Sequence, residues 1–179
     1  TYYLMGDPND MIREYYPTGE TRSIGGYVEG DPRGQHSEYL VDGTKSLDEY
    51  YEFGDLISST SYDLNNNPLG VNTYFDDNMR TLQWFAPDGK TALMKLYYAD
   101  NTLFKISCAQ KGGKMMDYEN VGTEEQTYKA YYPNGALGGV ISYKKGVLNG
   151  VRSIYYPNGQ AYETASFSEG NYEGPVTTY

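Results

Sequence analysis

Tyr131-Tyr132-Pro133-Asn134-Gly135 returns as Tyr155-Tyr156-Pro157-Asn158-Gly159, 24 residues later. Between the copies stands Tyr143-Lys144-Lys145-Gly146, and after them Phe167-Ser168-Glu169-Gly170. An aromatic residue followed by a Gly-closed turn therefore recurs about every 12 residues. Working outward, the same step runs through Tyr3, Tyr15, Tyr27, Tyr39 and Tyr51 at the N-terminal end. It continues, with a residue of drift, through Tyr62, Tyr74, Phe85, Tyr97, Cys108 and Tyr118 to Tyr131, and ends at Tyr179. Fifteen of these sixteen positions are aromatic in a chain with 16% aromatics, so chance does not account for them.

The residue three or four places after each aromatic is nearly always Gly or Asn, as in Gly19, Gly30, Gly43, Gly54, Asn78, Gly89 and Gly135. These residues take positive φ at little cost, which tight hairpin turns require. The offset alternates between three and four, which implies two turn types, one at each end of a sheet. Between turns, stretches such as Val151-Arg152-Ser153-Ile154-Tyr155-Tyr156 are rich in β-branched and aromatic residues with polar ones interleaved. Strands joined this closely are antiparallel neighbours. The spacing thus predicts an all-β fold: an elongated, single-layer antiparallel β-meander of tandem hairpins, about 12 residues per strand and about 24 per repeat. Equivalent tyrosines should stack across strands in rows.

The chain reads as a single array over 1–179, regular in 1–62 and 131–179 and degenerate in 63–130. Asp7-Pro8 carries a helix-start signature and Ser46-Leu47-Asp48-Glu49 fits a capping box. Tyr15 and Tyr51 keep the step through both, which favours strand. Residues 110–127 are the least regular, and a longer loop or distorted hairpin is expected there. Beyond Tyr179 the array reads as cut off, with an open sheet edge that invites self-association.

Composition narrows the function classes. Lys+Arg is 14 against Asp+Glu 24, a net charge of −10, which disfavours nucleic acid and anionic lipid. Cys108 is alone, so no intramolecular disulfide forms. Thr1 in place of a start methionine, with the Tyr/Gly/Asn-rich composition, points to a secreted or periplasmic location; the cytoplasm stays open.

The Tyr-Tyr-Pro-Asn-Gly pattern, with Gly-x-x-x-Gly at Gly146–Gly150 and Gly170–Gly174, resembles the variant MORN repeat of bacterial proteins, some of them described as antitoxin-like. The likeness covers Ala130 to Tyr179, and Tyr15 to Gly34 more loosely. It implies an elongated β-hairpin array, contact with other proteins and, in some eukaryotic members, with membrane lipid. It implies no particular chemistry.

No catalytic constellation, cofactor motif or metal-ligand spacing is found. His36 and Cys108 are the only residues of their types, and an extended sheet would hold them about six strands apart. Asp63-Leu64-Asn65-Asn66-Asn67 is spaced like the start of a calcium loop, but Pro68 and Tyr74 stand where Gly and Glu are needed, so it reads as a turn. The remaining candidates are the tyrosine rows, taken as binding residues Tyr131, Tyr132, Tyr143, Tyr155, Tyr156 and Phe167. The expected function is a non-enzymatic binding or scaffold module offering a tyrosine-rich, acidic sheet surface to a protein or peptide. The alternatives are a carbohydrate- or cell-wall-binding surface protein, with a glycan as ligand, and an antitoxin-like inhibitor of a basic partner.

Overall fold

The structure is a computed structural model and describes residues 11–76, 78–119, 121, 124–174 and 176–178. Tyr3, the Asp7-Pro8 signature, Asp77, Gly122 and Tyr179 lie outside the described residues. Every regular element among those described is a strand, and the strands are joined as an antiparallel meander of hairpins. Two compact units carry them, 1–75 and 76–179.

The first unit holds β1 (Met11–Tyr15), β2 (Thr21–Val28), β3 (Asp31–Tyr39), β4 (Lys45–Glu52), β5 (Asp55–Tyr62) and β6 (Pro68–Phe75), paired in chain order. Ser46 lies inside β4, so the capping-box signature there gives way to strand; residues 11–14, downstream of Asp7-Pro8, lie inside β1. The second unit holds β7 (Met79–Phe85), β8 (Ala92–Ala99), β9 (Thr102–Ala109) and β10 (Met115–Glu119), then β11 (Glu125–Tyr131), β12 (Leu137–Lys144), β13 (Val147–Tyr155) and β14 (Ala161–Ser168). The two-residue strands β15 (Asn171–Tyr172) and β16 (Thr177–Thr178) both pair with β14. The meander breaks between β10 and β11, within the stretch where the repeat loses its step. There β11 starts a separate sheet instead of pairing with β10.

The alternating offset in the sequence is an alternation of turns. At Tyr16, Leu40, Asp63, Gln110, Tyr132 and Tyr156 the amide three residues on donates to that residue's carbonyl, and its own amide donates to the carbonyl four residues on; at Ala86 the turn is one residue longer, its amide donating to the Thr91 carbonyl. The common form is a type I turn closed by a left-handed residue, Gly135 at φ 88° for example. The Asx side chain within several of these turns holds the chain beyond it: Asn134 and Asn158 accept from the amides of Ala136 and Gln160, and Asp88 from Lys90 and Thr91. Asp63 does the same for Asn65 and Asn67, so the calcium-like spacing folds as an Asx turn. At the other strand ends the turns have two central residues at positive φ, as at Glu29-Gly30, Phe53-Gly54, Lys145-Gly146 and Glu169-Gly170. Each meander also bulges one residue before its wide turn, at Tyr15, Tyr39, Tyr62, Phe85, Tyr131 and Tyr155. The periodic aromatic thus marks a bulge, which bends the strand and increases its twist.

The two units differ in how they are held. In the first, no apolar side chain among the described residues is buried; the buried polar ones are Ser37, Ser59 and Asp63. A single sheet has no second layer to bury against, and polar rows across the strands take the place of a core. On one face, Ser37 donates to Asp48 (2.5 Å), as do Lys45 (2.9 Å) and Tyr62 (2.8 Å). Burial alone would raise the Asp48 carboxyl, but these three donors, together with Gln35, outweigh it and hold it below the ordinary value. The second unit has an apolar core. Met94, Leu96, Leu103, Ile106 and Cys108 of β8 and β9 are buried, as are Tyr128, Ala130, Ile141, Tyr143, Ile154 and Phe167 of the second sheet. β11 lies over β9 and β8, and β12 over β8, so two meanders stack there as two layers. The Tyr98 and Tyr143 hydroxyls meet in that interior at 3.1 Å. Arg152 pairs with Glu163 and lies over the rings of Trp84 and Phe167. The Cys108 thiol is pushed up to about 12 by burial.

Candidate functional site

Cross-strand register in the first unit places one row of side chains on a shared face: Ile12, Gly25, His36, Glu49, Ser59 and Asn72, from β1 to β6. Beside it runs the row Glu14, Ser23 and Glu38. Gly25 is the gap in the pattern. A methyl at that position would stand 2.1 Å from His36 Nδ1, so the imidazole lies directly on the glycine backbone. His36 Nε2 is 2.8 Å from the Gly26 carbonyl oxygen, which accepts its proton. The ring is held edge-on between Tyr27 (centroids 5.0 Å) and Tyr51 (4.9 Å).

Around this aromatic triplet is a groove of about 260 Å³. Its acidic members are Glu14, Glu38 and Glu49, and Tyr27 and Tyr51 flank it. The Tyr51 hydroxyl donates to Glu49 (2.9 Å), and burial together with that carboxylate pushes Tyr51 up to about 12. Ser23 donates to Glu14 (3.2 Å) rather than to the imidazole. Arg22 stands at the margin, 3.8 Å from Glu14 and more than half exposed. Chemically the arrangement can receive a cation: Glu14 and Glu49 are fixed by hydrogen bonds, beside aromatic rings whose faces attract positive charge.

The six tyrosine-row residues named from the sequence are placed differently. Tyr132, Tyr143 and Phe167 are buried in the second unit, at 4%, 3% and 6% exposure. Tyr132 donates to the Tyr155 carbonyl (2.7 Å), a bond that Tyr16 repeats to Tyr39 (2.7 Å) in the first unit. Tyr143 is driven well above the usual tyrosine range by burial and by Tyr98. Tyr155 and Tyr156 are half-buried, and Tyr156 meets Tyr162 edge to face at 5.4 Å. Tyr131 is half-buried and lines a separate cleft beside β11. The clearest copies of the repeat are therefore largely interior. His36 lies in β3 of the first unit and Cys108 in β9 of the second. Among the described residues no group of three His, Cys, Asp or Glu side chains is placed to hold a metal ion.

The groove residues were not named from the sequence, although Tyr27 and Tyr51 stand on its 24-residue step. The signal that could have found them is Gly25 facing the only histidine across a strand pair.

No family model matches the chain, and no curated protein does. Solved structures with some likeness include the Glycosylation Associate Protein (Gap123) complex from Streptococcus agalactiae, at 13% identity and TM-score 0.43, covering 66% of this chain and 23% of that one. A mutant of S. aureus TarM, in complex with Fondaparinux, alpha-GlcNAc-glycerol and UDP, matches at 9% identity and TM-score 0.31, covering 69% of this chain and 20% of that one. The GtfA/B complex bound to UDP and GlcNAc matches at 15% identity and TM-score 0.32, covering 66% and 24%. This chain spans less than a quarter of each, and likenesses at this level carry no argument about it.

Proposed function

We propose that the protein is a non-enzymatic binding module whose first unit receives a cationic segment of a protein or peptide partner on its tyrosine-rich, acidic sheet face. The observation that carries this reading is the groove over β1–β4, where Glu14, Glu38 and Glu49 lie with Tyr27 and Tyr51 around His36. Without an apolar core over them, Glu14, Tyr27, Glu49 and Tyr51 stay part-exposed and Glu38 exposed, available to a ligand. The net charge of −10 would draw a basic partner from a distance. The geometry also supports a binding role over a catalytic one, because Ser23 and the imidazole Nε2 are each engaged elsewhere. The antitoxin-like reading suggested by the MORN resemblance is the same chemistry with an inhibited basic protein as ligand.

Calorimetric titration with an acetylated oligo-arginine peptide tests this. Binding should weaken with added salt, since exposed charges are screened over about 8–10 Å at physiological ionic strength. A Glu38→Gln/Glu49→Gln double variant should lose about threefold to tenfold in affinity, as for two partly exposed ion pairs. Equal binding of the peptide by the double variant would remove the proposal. A neutral oligosaccharide that bound where the peptide did not would favour the glycan reading instead.

A further inference from the structure

In the second unit the two layers do not end together. The lower sheet runs β8, β9, β10, and the upper sheet ends at β11, which lies over β9 and β8. The register extends the core-facing rows outward onto β10, as Met94–Cys108–Met116 and Leu96–Ile106–Tyr118. Met94, Leu96, Ile106 and Cys108 are buried, whereas Met116 is 48% exposed. The core face therefore emerges from beneath its cover at β10 and forms a ledge.

A cleft of about 460 Å³ stands on this ledge. Gln110 and Tyr118 line one side, the Tyr118 ring meeting Tyr128 edge to face at 5.3 Å; the other side is Gln126, Thr127, Tyr128, Lys129 and Tyr131 of β11. Four consecutive strand residues point alternately to opposite faces, so a wall containing all four is the strand's backbone edge. Among the described residues β11 is the end strand of its sheet and pairs with β12 alone. At the opposite margin of that sheet the two-residue strands β15 and β16 pair with β14.

We propose that this edge takes one extended segment of another protein as an added strand beside β11, seated on the Met116–Tyr118 ledge. The upper layer is one strand short of covering the lower, and a single strand fills that place. A second copy joined antiparallel through its own β11 would bring its β9 under the new strand, where β10 already stands, so the ledge admits a lone strand and turns away a second sheet. The chemistry of the guest follows from alternation. Gln126, Tyr128 and Ala130 face the core side, so guest residues in line with them meet Met116 and Tyr118 and must be apolar. Thr127 and Lys129 face outward, and Lys129 is the one charged side chain lining the cleft, which selects a carboxylate on the guest's outer face. Backbone pairing supplies affinity in such additions and the alternate side chains supply specificity. This site is independent of the groove around His36.

Selection of displayed random decapeptides on the full protein tests the proposal. Enriched sequences should alternate apolar with polar residues and carry an acid, and a synthetic copy should slow exchange of the alternate amides of Gln126–Lys129 that face the open edge by tenfold or more, without moving the His36 ring signals. Lys129→Glu, an exposed change that should leave the fold intact, should weaken that peptide severalfold, and replacing the peptide's acid by lysine should restore binding. Failure to enrich any peptide, or enriched peptides that leave β11 exchange unchanged, would overturn it.

Discussion

At the scale of single residues, contacts that the periodicity does not encode decide the character of each unit. Gly25 exists as a floor for His36: a side chain there collides with the imidazole at 2.1 Å. Gly25→Ala should cost about 1–3 kcal/mol, as overpacking does, and should displace the ring from between Tyr27 and Tyr51. Chemical denaturation checks the loss, and Gly25→Ala/His36→Ala should recover part of it. Arg152 and Glu163 pair in the second unit with side chains only 19% and 13% exposed. Arg152→Met leaves that carboxylate without its partner and should cost about 3 kcal/mol, while Arg152→Met/Glu163→Leu should regain most of it. A single variant as stable as the parent would show that the pair does not stabilise the second sheet.

At the scale of elements, the meander was legible because turn chemistry is local. Gly135 and Gly159 supply the positive φ at which their turns close, and the alternating offsets translate directly into two turn types. What lay beyond reach was which rows become interior. Tyr132 and Tyr156 occupy the same place in the repeat, yet Tyr132 is buried and Tyr156 half-buried, because only stacking of the second sheet distinguishes them. That stacking begins where the step fails, between β10 and β11, and a lost period does not say where the chain goes next. The polar rows of the first unit make a prediction of their own. Asp48 has a folded-state pKa below its ordinary 3.8, so its contribution is full above that value and disappears as pH falls through the lower one. Asp48→Asn should cost about 1–3 kcal/mol at neutral pH, since the groups donating to it lose their charged acceptor. The gap between variant and parent should be full above pH 3.8 and close as pH falls below it. Urea midpoints measured across that range would show it; a gap independent of pH would assign the effect to packing.

At the scale of the whole molecule, two ways of stabilising one hairpin array divide the chain. Residues 76–179 build a two-layered core, and residues 1–75 keep a sheet with polar and aromatic rows and no buried apolar side chain among those described. The excess of acid over base leaves the molecule at −10. Within that charge, the groove of the first unit combines carboxylates with tyrosine rings. A purely structural sheet does not need that combination, and a cationic partner would use it.

His36 is the chain's only histidine and lies inside the groove, so its ring gives one unambiguous signal. The direct measurement is therefore the NMR spectrum of the His36 imidazole during titration with an oligo-arginine peptide, in the parent protein and in Glu38→Gln/Glu49→Gln. The account predicts a saturable shift that shrinks with salt and is weakened in the double variant. A peptide that binds while the His36 signals stay still, or no binding at low salt, would contradict it.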